Sequence, residues 1–529
     1  MTATQNPIIE RKKQIVAQFL KKGILLNADI LHSITGEDNF DSVFSKMHAP
    51  AGTLVMNSGT PAMQQHQNVN WVEMDRIKVM QEKGKAEHYA KAMSALSQAD
   101  AKPPLPSSKG GTKVVVVTSY NEENTKRDVQ DFVDYFNHRF KSLEKILKAR
   151  QGLQANISIK HILKRKEKEQ AALIGMVSSK DTTKNGNLML TLEDPTGTIK
   201  ALFNKNKPEL YRKADEIVLD EVIGVIGVSG DNIVFVNEFY LPDVPNYELK
   251  KAQDDVYVAF ISDLHVGSSK FLPEDFEKFL KWINGETGNE KQREIASKVK
   301  YLFISGDLVD GIGIYPGQED ELDIKDINHQ YTECASLLKR VPSHIHMVLC
   351  PGNHDAVRLA EPQPTFPKLY CSSLYELPNT TIVSNPAVVN IHSSTDFPGF
   401  NVLMYHGYSF DHFIAEVNSL RNQGGYDRAD LVMKFLLQRR HLAPTHTSTQ
   451  YIPDTSRDPL VIDAVPDFFI SGHIHKSVSA QYKGITLICG SCWQSKTAFQ
   501  EKVGHHPEPS RVPVVNLKTR GIKILKFGS

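Results

Sequence analysis

The stretch Val256-Tyr-Val-Ala-Phe-Ile-Ser-Asp263-Leu-His265 decides how this chain is read. An unbroken run of β-branched and aromatic residues is what a strand buried on both faces looks like, and such strands belong to sheets covered by helices. The run stops at a carboxylate and an imidazole two positions apart. An extended backbone there would point both side chains the same way, so one cation could collect both. The plan recurs in Tyr301-Leu-Phe-Ile-Ser-Gly-Asp307, in Ile345-His-Met-Val-Leu-Cys-Pro-Gly-Asn353-His354-Asp355, in Val402-Leu-Met-Tyr-His406 and in Asp467-Phe-Phe-Ile-Ser-Gly-His473-Ile-His475. Residues just past the carboxyl ends of such strands converge on one crevice. A single polar centre is therefore expected, with amphipathic stretches at 274–283 and 327–339 supplying the helices between strands.

The residue types fit a metal centre. Asp307 offers a carboxylate able to bridge two ions, and Gly306 leaves room for a close turn. Asn353 offers a neutral carbonyl oxygen, while His406, His473 and His475 add imidazoles. Mixed oxygen and nitrogen donors suit manganese, iron or zinc better than calcium or magnesium. The pair His344 and His346 stands at the wrong end of its apolar run and is read as ordinary strand histidines. His392, His412, His441, His446, His505 and His506 are read as packed or solvated. Cys489 and Cys492 form a lone C-x-x-C, whereas a structural zinc site normally needs two such pairs or added histidines, so they are read as buried or incidental thiols.

At 529 residues the chain exceeds one ordinary compact domain. Lys and Arg number 62 against 61 Asp and Glu, a formal charge of +1. That excludes a generally basic, nucleic-acid-coating protein, so any DNA contact must use local patches. Five scattered cysteines do not form a secreted disulfide framework. With no secretory h-region and no apolar run of membrane-spanning length, a soluble intracellular protein is expected.

Residues 1–35 show apolar positions at helical spacing and predict a small helical module. Residues 36–112, rich in Gly, Gln, Asn, Ser and Ala, read as a flexible linker with one helix near 72–96. Residues 113–153 predict a strand and an amphipathic helix leading into the next domain, at 154–248. That domain is strand-rich: Leu190 to Phe203 alternates polar and apolar residues on either side of an Asp-Pro-Thr-Gly turn. The hairpin resembles the centre of oligonucleotide-binding (OB) folds, small barrels that bind single strands or partner proteins. Stacking aromatics are few on these strands, so a barrel that merely packs on its neighbour is an equal reading. The basic run 160–168 fits either a phosphate track or a solvated helix face. Residues 249–529 hold the metal motifs.

Taken in order, those motifs resemble the signature of the calcineurin-like metallophosphoesterase superfamily: D-x-H, G-D-x-x-D, G-N-H-D, H and G-H-x-H. The resemblance implies an α/β layered β-sandwich flanked by helices, preceded here by the OB barrel. It also implies that one divalent ion is held by Asp263, His265, Asp307 and His475, and a second by Asp307, Asn353, His406 and His473. Manganese is the first expectation, with iron or zinc as alternatives. Asp310 and Asp355 would then orient other groups, and His354 would be the catalytic imidazole, steadying the transition state or protonating the leaving oxygen.

The domain order is similar to the small subunits of archaeal D-family DNA polymerases, related to the B subunits of eukaryotic replicative polymerases. So are the stretch from Val129 to Phe140 and the one from Gly490 to Gln500. This resemblance implies a proofreading 3′→5′ exonuclease acting on single-stranded or mispaired DNA 3′ ends. It further implies a large polymerase subunit as partner, other replication factors engaged through the N-terminal module, no membrane, and a cytoplasmic location in a cell without a nucleus. Eukaryotic relatives generally lack the ligands and act as scaffolds, whereas all seven ligand positions and the catalytic histidine, eight positions together, are filled here. A scaffolding subunit, a stand-alone metallophosphatase and a repair nuclease are the alternatives.

Overall fold

The computed structural model describes residues 113–528 apart from 123–124, 166, 455 and 503–504; before them it describes only 15, 25–26 and 55–56. The chain divides into Met1–Ser107 and Ser108–Ser529. In the first unit Leu25–Leu26 pairs in parallel with Val55–Met56, so Leu25 is extended rather than helical as its spacing predicts. The rest of the helical module and linker expected over 1–112 lies outside the described residues. No helix among the described residues is long and apolar enough to cross a membrane.

The second unit is built around two six-stranded sheets. One runs Thr380–Ile382, His346–Cys350, Val299–Ser305, Tyr257–Ile261, Arg511–Asn516 and Ile522–Lys526. Its first four strands are mutually parallel. The other runs Val478–Tyr482, Ile485–Cys489, Phe468–Ser471, Phe400–Met404, Ala387–Ile391 and Val114–Ser119, with a parallel core of three. Val258, Phe260, Phe303, Val402, Phe468 and Ile470 fill the layer between the sheets. Phe276, Phe279 and Tyr331 cover the outer face of the first sheet, and Phe413, Val432 and Phe435 that of the second. Burial on both faces is why the motif strands read as continuous apolar runs.

Val114–Ser119 corrects one expectation. Instead of leading into the barrel, it pairs antiparallel with Ala387–Ile391 and closes the edge of the second sheet. The partner of an edge strand is set by long-range register, which local composition does not carry. The helix Val129–Lys148 follows, capped by Asp128. It sets Tyr135 into the layer over the second sheet, and Phe140, Leu143 and Leu147 against Ile174, Met176 and Val222 of the barrel.

That barrel is closed, in the order Gln170–Thr182, Leu188–Asp194, Gly197–Phe203, Ile233–Tyr240, Val222–Gly230. The predicted hairpin turns between paired Asp194 and Gly197, where the Thr196 amide donates to Asp194 Oδ1 at 2.7 Å. Leu188, Leu190, Leu192, Ile199, Ala201 and Phe203 alternate inward, as the pattern requires.

Two buried ion pairs join the parts. Arg439 Nε lies 2.7 Å from Glu221 Oε2 of the barrel. Arg139, on the fully buried face of the long helix, donates to Asp458 Oδ2 at 2.7 Å. Removing Arg139 leaves the buried Asp458 charge with only neutral donors such as His441, so Arg139→Met should cost about 3–5 kcal/mol in urea unfolding, and adding Asp458→Leu should recover only part of it because His441 then loses its acceptor.

His441 donates from Nε2 to the same Asp458 oxygen at 2.8 Å, while its Nδ1 accepts from the Ala443 amide at 3.0 Å. Burial, reinforced by the Arg139 guanidinium and opposed by Asp458, holds the imidazole down to about 4. Between that value and the ordinary 6.5 the unfolded chain binds the extra proton. Stability from this group is therefore complete above about pH 6.5 and is lost as pH falls toward 4, by ~3 kcal/mol. Urea midpoints taken across that window should show the fall, and His441→Gln should flatten it.

Candidate metal centre

Every motif residue stands just past a strand end, and the backbone there is unusual. Asp263, His265, Asp307, His473 and His475 have φ of 53°, 52°, 50°, 72° and 53°. Non-glycine residues in this left-handed region are uncommon and cluster where a surrounding structure imposes strain for a purpose. The expectation that an extended backbone aims Asp263 and His265 together is thus wrong in its reason: Tyr257–Ile261 has ended, and left-handed turns aim them. Gly306, at φ 86°, accommodates the closest approach, since an added Cβ would collide with the His406 imidazole.

The side chains gather in two adjoining groups of possible metal donors: Asp263, His265 and His475, and Asp307, His406 and His473. In the first, His265 Nε2 faces His475 Nε2 at 3.1 Å, and His475 Nε2 lies 3.5 Å from Asp263 Oδ1. In the second, Asn353 Oδ1 lies 2.9 Å from both His406 Nε2 and His473 Nδ1. Asp307 Oδ2 stands between the groups, 3.2 Å from His406 Nε2 and 3.8 Å from His265 Nε2.

Three outer nitrogens explain why this assembly suits cations. His265 Nδ1 donates to Asp310 Oδ1 at 3.0 Å, His406 Nδ1 to the Ser305 carbonyl at 2.8 Å, and His473 Nε2 to Asp411 Oδ2 at 3.0 Å. A neutral imidazole that donates outward turns a lone pair inward. Lone pairs of His406, His473, Asn353 and Asp307 then converge with no donor among them. Only protons or a metal cation satisfy such a set, so the residues fit the ions that the motifs imply.

The electrostatics agree. Burial works to raise the Asp307 carboxyl, but His406, His354 and His265 overcome it and hold the group well below the usual carboxylate range. Burial opposes a proton on His406, yet Asp307 holds one there up to about 10. The pocket favours positive charge. Asp355, by contrast, is pushed up to about 7 by burial and then by the Asp307 charge.

Asp310 and Asp355 bond to groups around the donors. Asp355 Oδ2 accepts from the Gly352 amide at 2.8 Å, and its Oδ1 accepts from Tyr331 at 3.1 Å. The Asp310 carbonyl accepts from His354 Nδ1 at 2.8 Å. Asp310 also comes together with His265 and His354 as a third donor group, but its contact with His265 uses the outward nitrogen. The His354 amide donates to Asp307 Oδ1 at 2.8 Å, fixing its imidazole beside the donors with Nε2 uncommitted to them.

His344 and His346 stay apart: His346 Nε2 bonds Thr381 Oγ1 at 2.8 Å at the start of its strand. Cys489 and Cys492 are buried thiols. Sequence reasoning missed four supports. Gln494 Nε2 donates to Asp310 Oδ1 at 2.9 Å, and Gln500 Nε2 lies 2.9 Å from His475 Nδ1. Asp411 holds His473, and buried Glu361 accepts from Tyr405, the neighbour of His406, at 3.0 Å. The two glutamines lie in the Gly490–Gln500 stretch, whose likeness to the family was the available signal.

Residues 258–479 match the family model for the B subunits of DNA polymerases alpha and epsilon, and residues 171–230 match one for an OB-fold nucleic acid binding domain. The DNA polymerase II small subunit of Methanothermobacter thermautotrophicus is 42% identical over 414 residues, 78% of this chain and 82% of its own length. The chain belongs to that family. The DNA polymerase II small subunits of Methanocaldococcus jannaschii and Pyrococcus furiosus are each 40% identical over 75% of this chain, and 65% and 64% of their own lengths. Within this small-subunit chain, every motif donor from Asp263 to His475 lies inside residues 258–479, the region that the polymerase family model matches. A solved archaeal phosphodiesterase aligns with 51% of the chain and 99% of its own, at 12% identity and a TM-score of 0.25, too distant to carry weight.

Proposed function

We propose that this chain is the 3′→5′ exonuclease of a two-subunit replicative DNA polymerase, with a calcineurin-like two-metal centre. The observation that carries the proposal is the convergence of inward lone pairs from His406, His473 and Asn353 on the Asp307 carboxylate. A scaffolding subunit needs the sandwich but not that donor set, so the filled set favours catalysis over the scaffold.

Asp263, His265, Asp307 and His475 would hold one ion, and Asp307, Asn353, His406 and His473 the other. Bound divalent ions, manganese first among them, supply charge to the phosphoryl oxygens and acidify water. The remaining work falls to His354. Its Nδ1 is tied to the Asp310 carbonyl, which leaves Nε2 to face substrate. Burial lowers its pKa against the pull of Asp307, which makes its protonated form the stronger acid. In hydrolysis the attacking water gives up one proton to solvent, His354 protonated at Nε2 delivers one to the leaving 3′ oxygen, and the imidazole then regains its proton from solvent. The products are a strand with a new 3′ hydroxyl and a nucleoside 5′-monophosphate.

The large polymerising subunit is the proposed partner, single-stranded or mispaired 3′ ends are the proposed substrate, and the barrel is a proposed nucleic-acid contact. Work on replicating DNA implies a location inside the cell. Co-expression with the large subunit of the same source, followed by gel filtration, should give one complex with little activity on p-nitrophenyl phosphate. A lone monomer that hydrolyses this monoester well would overturn the reading in favour of a stand-alone phosphatase.

A further inference from the structure

We infer that Asp411 is a positioning residue for one of the two ions: it fixes the His473 ring so that Nδ1, rather than Nε2, faces the centre. The inference rests on the two-ion reading above. Asp411 lies in the first turn of the helix Phe410–Glu416, which Phe410 and Phe413 anchor in the layer over the second sheet. Between His406 and that helix, Gly407 turns at φ 117°, and Ser409 Oγ donates to the Leu442 carbonyl at 2.6 Å. One short segment therefore delivers both a donor, His406, and the brace for another.

The geometry separates His473 from the other imidazoles. His265, His406 and His475 turn Nε2 to the centre. His473 turns Nδ1 to Asn353 Oδ1 at 2.9 Å because its Nε2 is taken by Asp411 Oδ2 at 3.0 Å. A carboxylate on the far nitrogen fixes the tautomer, stops the ring from turning and makes the inner nitrogen more basic. His473 needs this more than the others, since its side chain is 11% exposed where that of His406 is wholly buried. The Tyr426 and His505 rings meet with centroids 3.8 Å apart at a tilt of 57°, and both act on the same carboxylate, so Asp411 is itself steadied from outside.

The test is a manganese titration of the full chain, followed by calorimetry and by the electron paramagnetic resonance of the bound ions. Wild type should take up two ions in a spin-coupled pair. Asp411→Ala should weaken one binding step about 10–100-fold and leave the other unchanged, so that limiting manganese gives an uncoupled six-line spectrum. Asp411→Asn retains an acceptor oxygen and should recover most of the affinity. Wild-type affinities in Asp411→Ala, or equal weakening of both steps, would overturn the inference. Fewer than two manganese ions bound by wild type would instead defeat the two-ion reading, and the role of Asp411 would fall with it.

Discussion

Asp307→Asn is expected to lower manganese-dependent release of nucleotides from a DNA 3′ end by about 10³-fold or more. Asp307 lies within reach of both donor groups, at 3.2 Å from His406 and 3.8 Å from His265. Its charge also favours cations in the pocket, raising the His406 imidazole against the effect of burial. An asparagine keeps the size and one oxygen but removes the charge and the bridge. Loss of several kcal/mol of charge stabilisation corresponds to at least about a thousandfold in rate. Metal analysis after dialysis should find fewer than two ions per chain. In urea the metal-free variant should lose some stability, since His406 and His265 lose their carboxylate partner, an effect offset in part by relief of the repulsion that raises Asp355.

His354→Ala separates catalysis from binding. Its imidazole lies at the centre without being one of the expected ligands, tied through Nδ1 to the Asp310 carbonyl and edge-on to His265 at 4.6 Å between ring centroids. Loss of proton delivery to the leaving oxygen is expected to slow turnover by about 10²–10⁴-fold. Two manganese ions should still bind, since the His354 amide that donates to Asp307 belongs to the backbone and survives the change. A substrate with a good leaving group, such as bis(p-nitrophenyl) phosphate, needs little protonation and should lose far less. Equal losses on both substrates would assign His354 to metal binding instead.

The five motifs were legible because each couples two local signals, an apolar run buried on both faces and a polar cluster at its end. The backbone that aims the side chains was not legible. Left-handed φ at Asp263, His265, Asp307, His473 and His475 leaves no mark in composition, because the surrounding packing imposes it where glycine would otherwise be expected. Val114–Ser119 reads as a strand anywhere in a chain, and its place beside Ala387–Ile391 depends on a pairing across some 270 residues. Arg139 is a charged residue with no local mark of burial, yet it is buried against Asp458, a partner over 300 residues away. Asp411 and Gln500 act singly, at spacings that no periodicity predicts. The hairpin at 190–203 was legible because its turn and alternation are both local.

The most direct test follows a 5′-labelled primer with a mismatched 3′ end. The chain is assembled with its large subunit, given manganese and no nucleotides, and compared with the same complex carrying Asp307→Asn. Wild type should shorten the labelled strand one nucleotide at a time from the 3′ end, and the variant complex should leave it intact. Equal shortening by both complexes, or none by either, would contradict the assignment of this centre as the exonuclease.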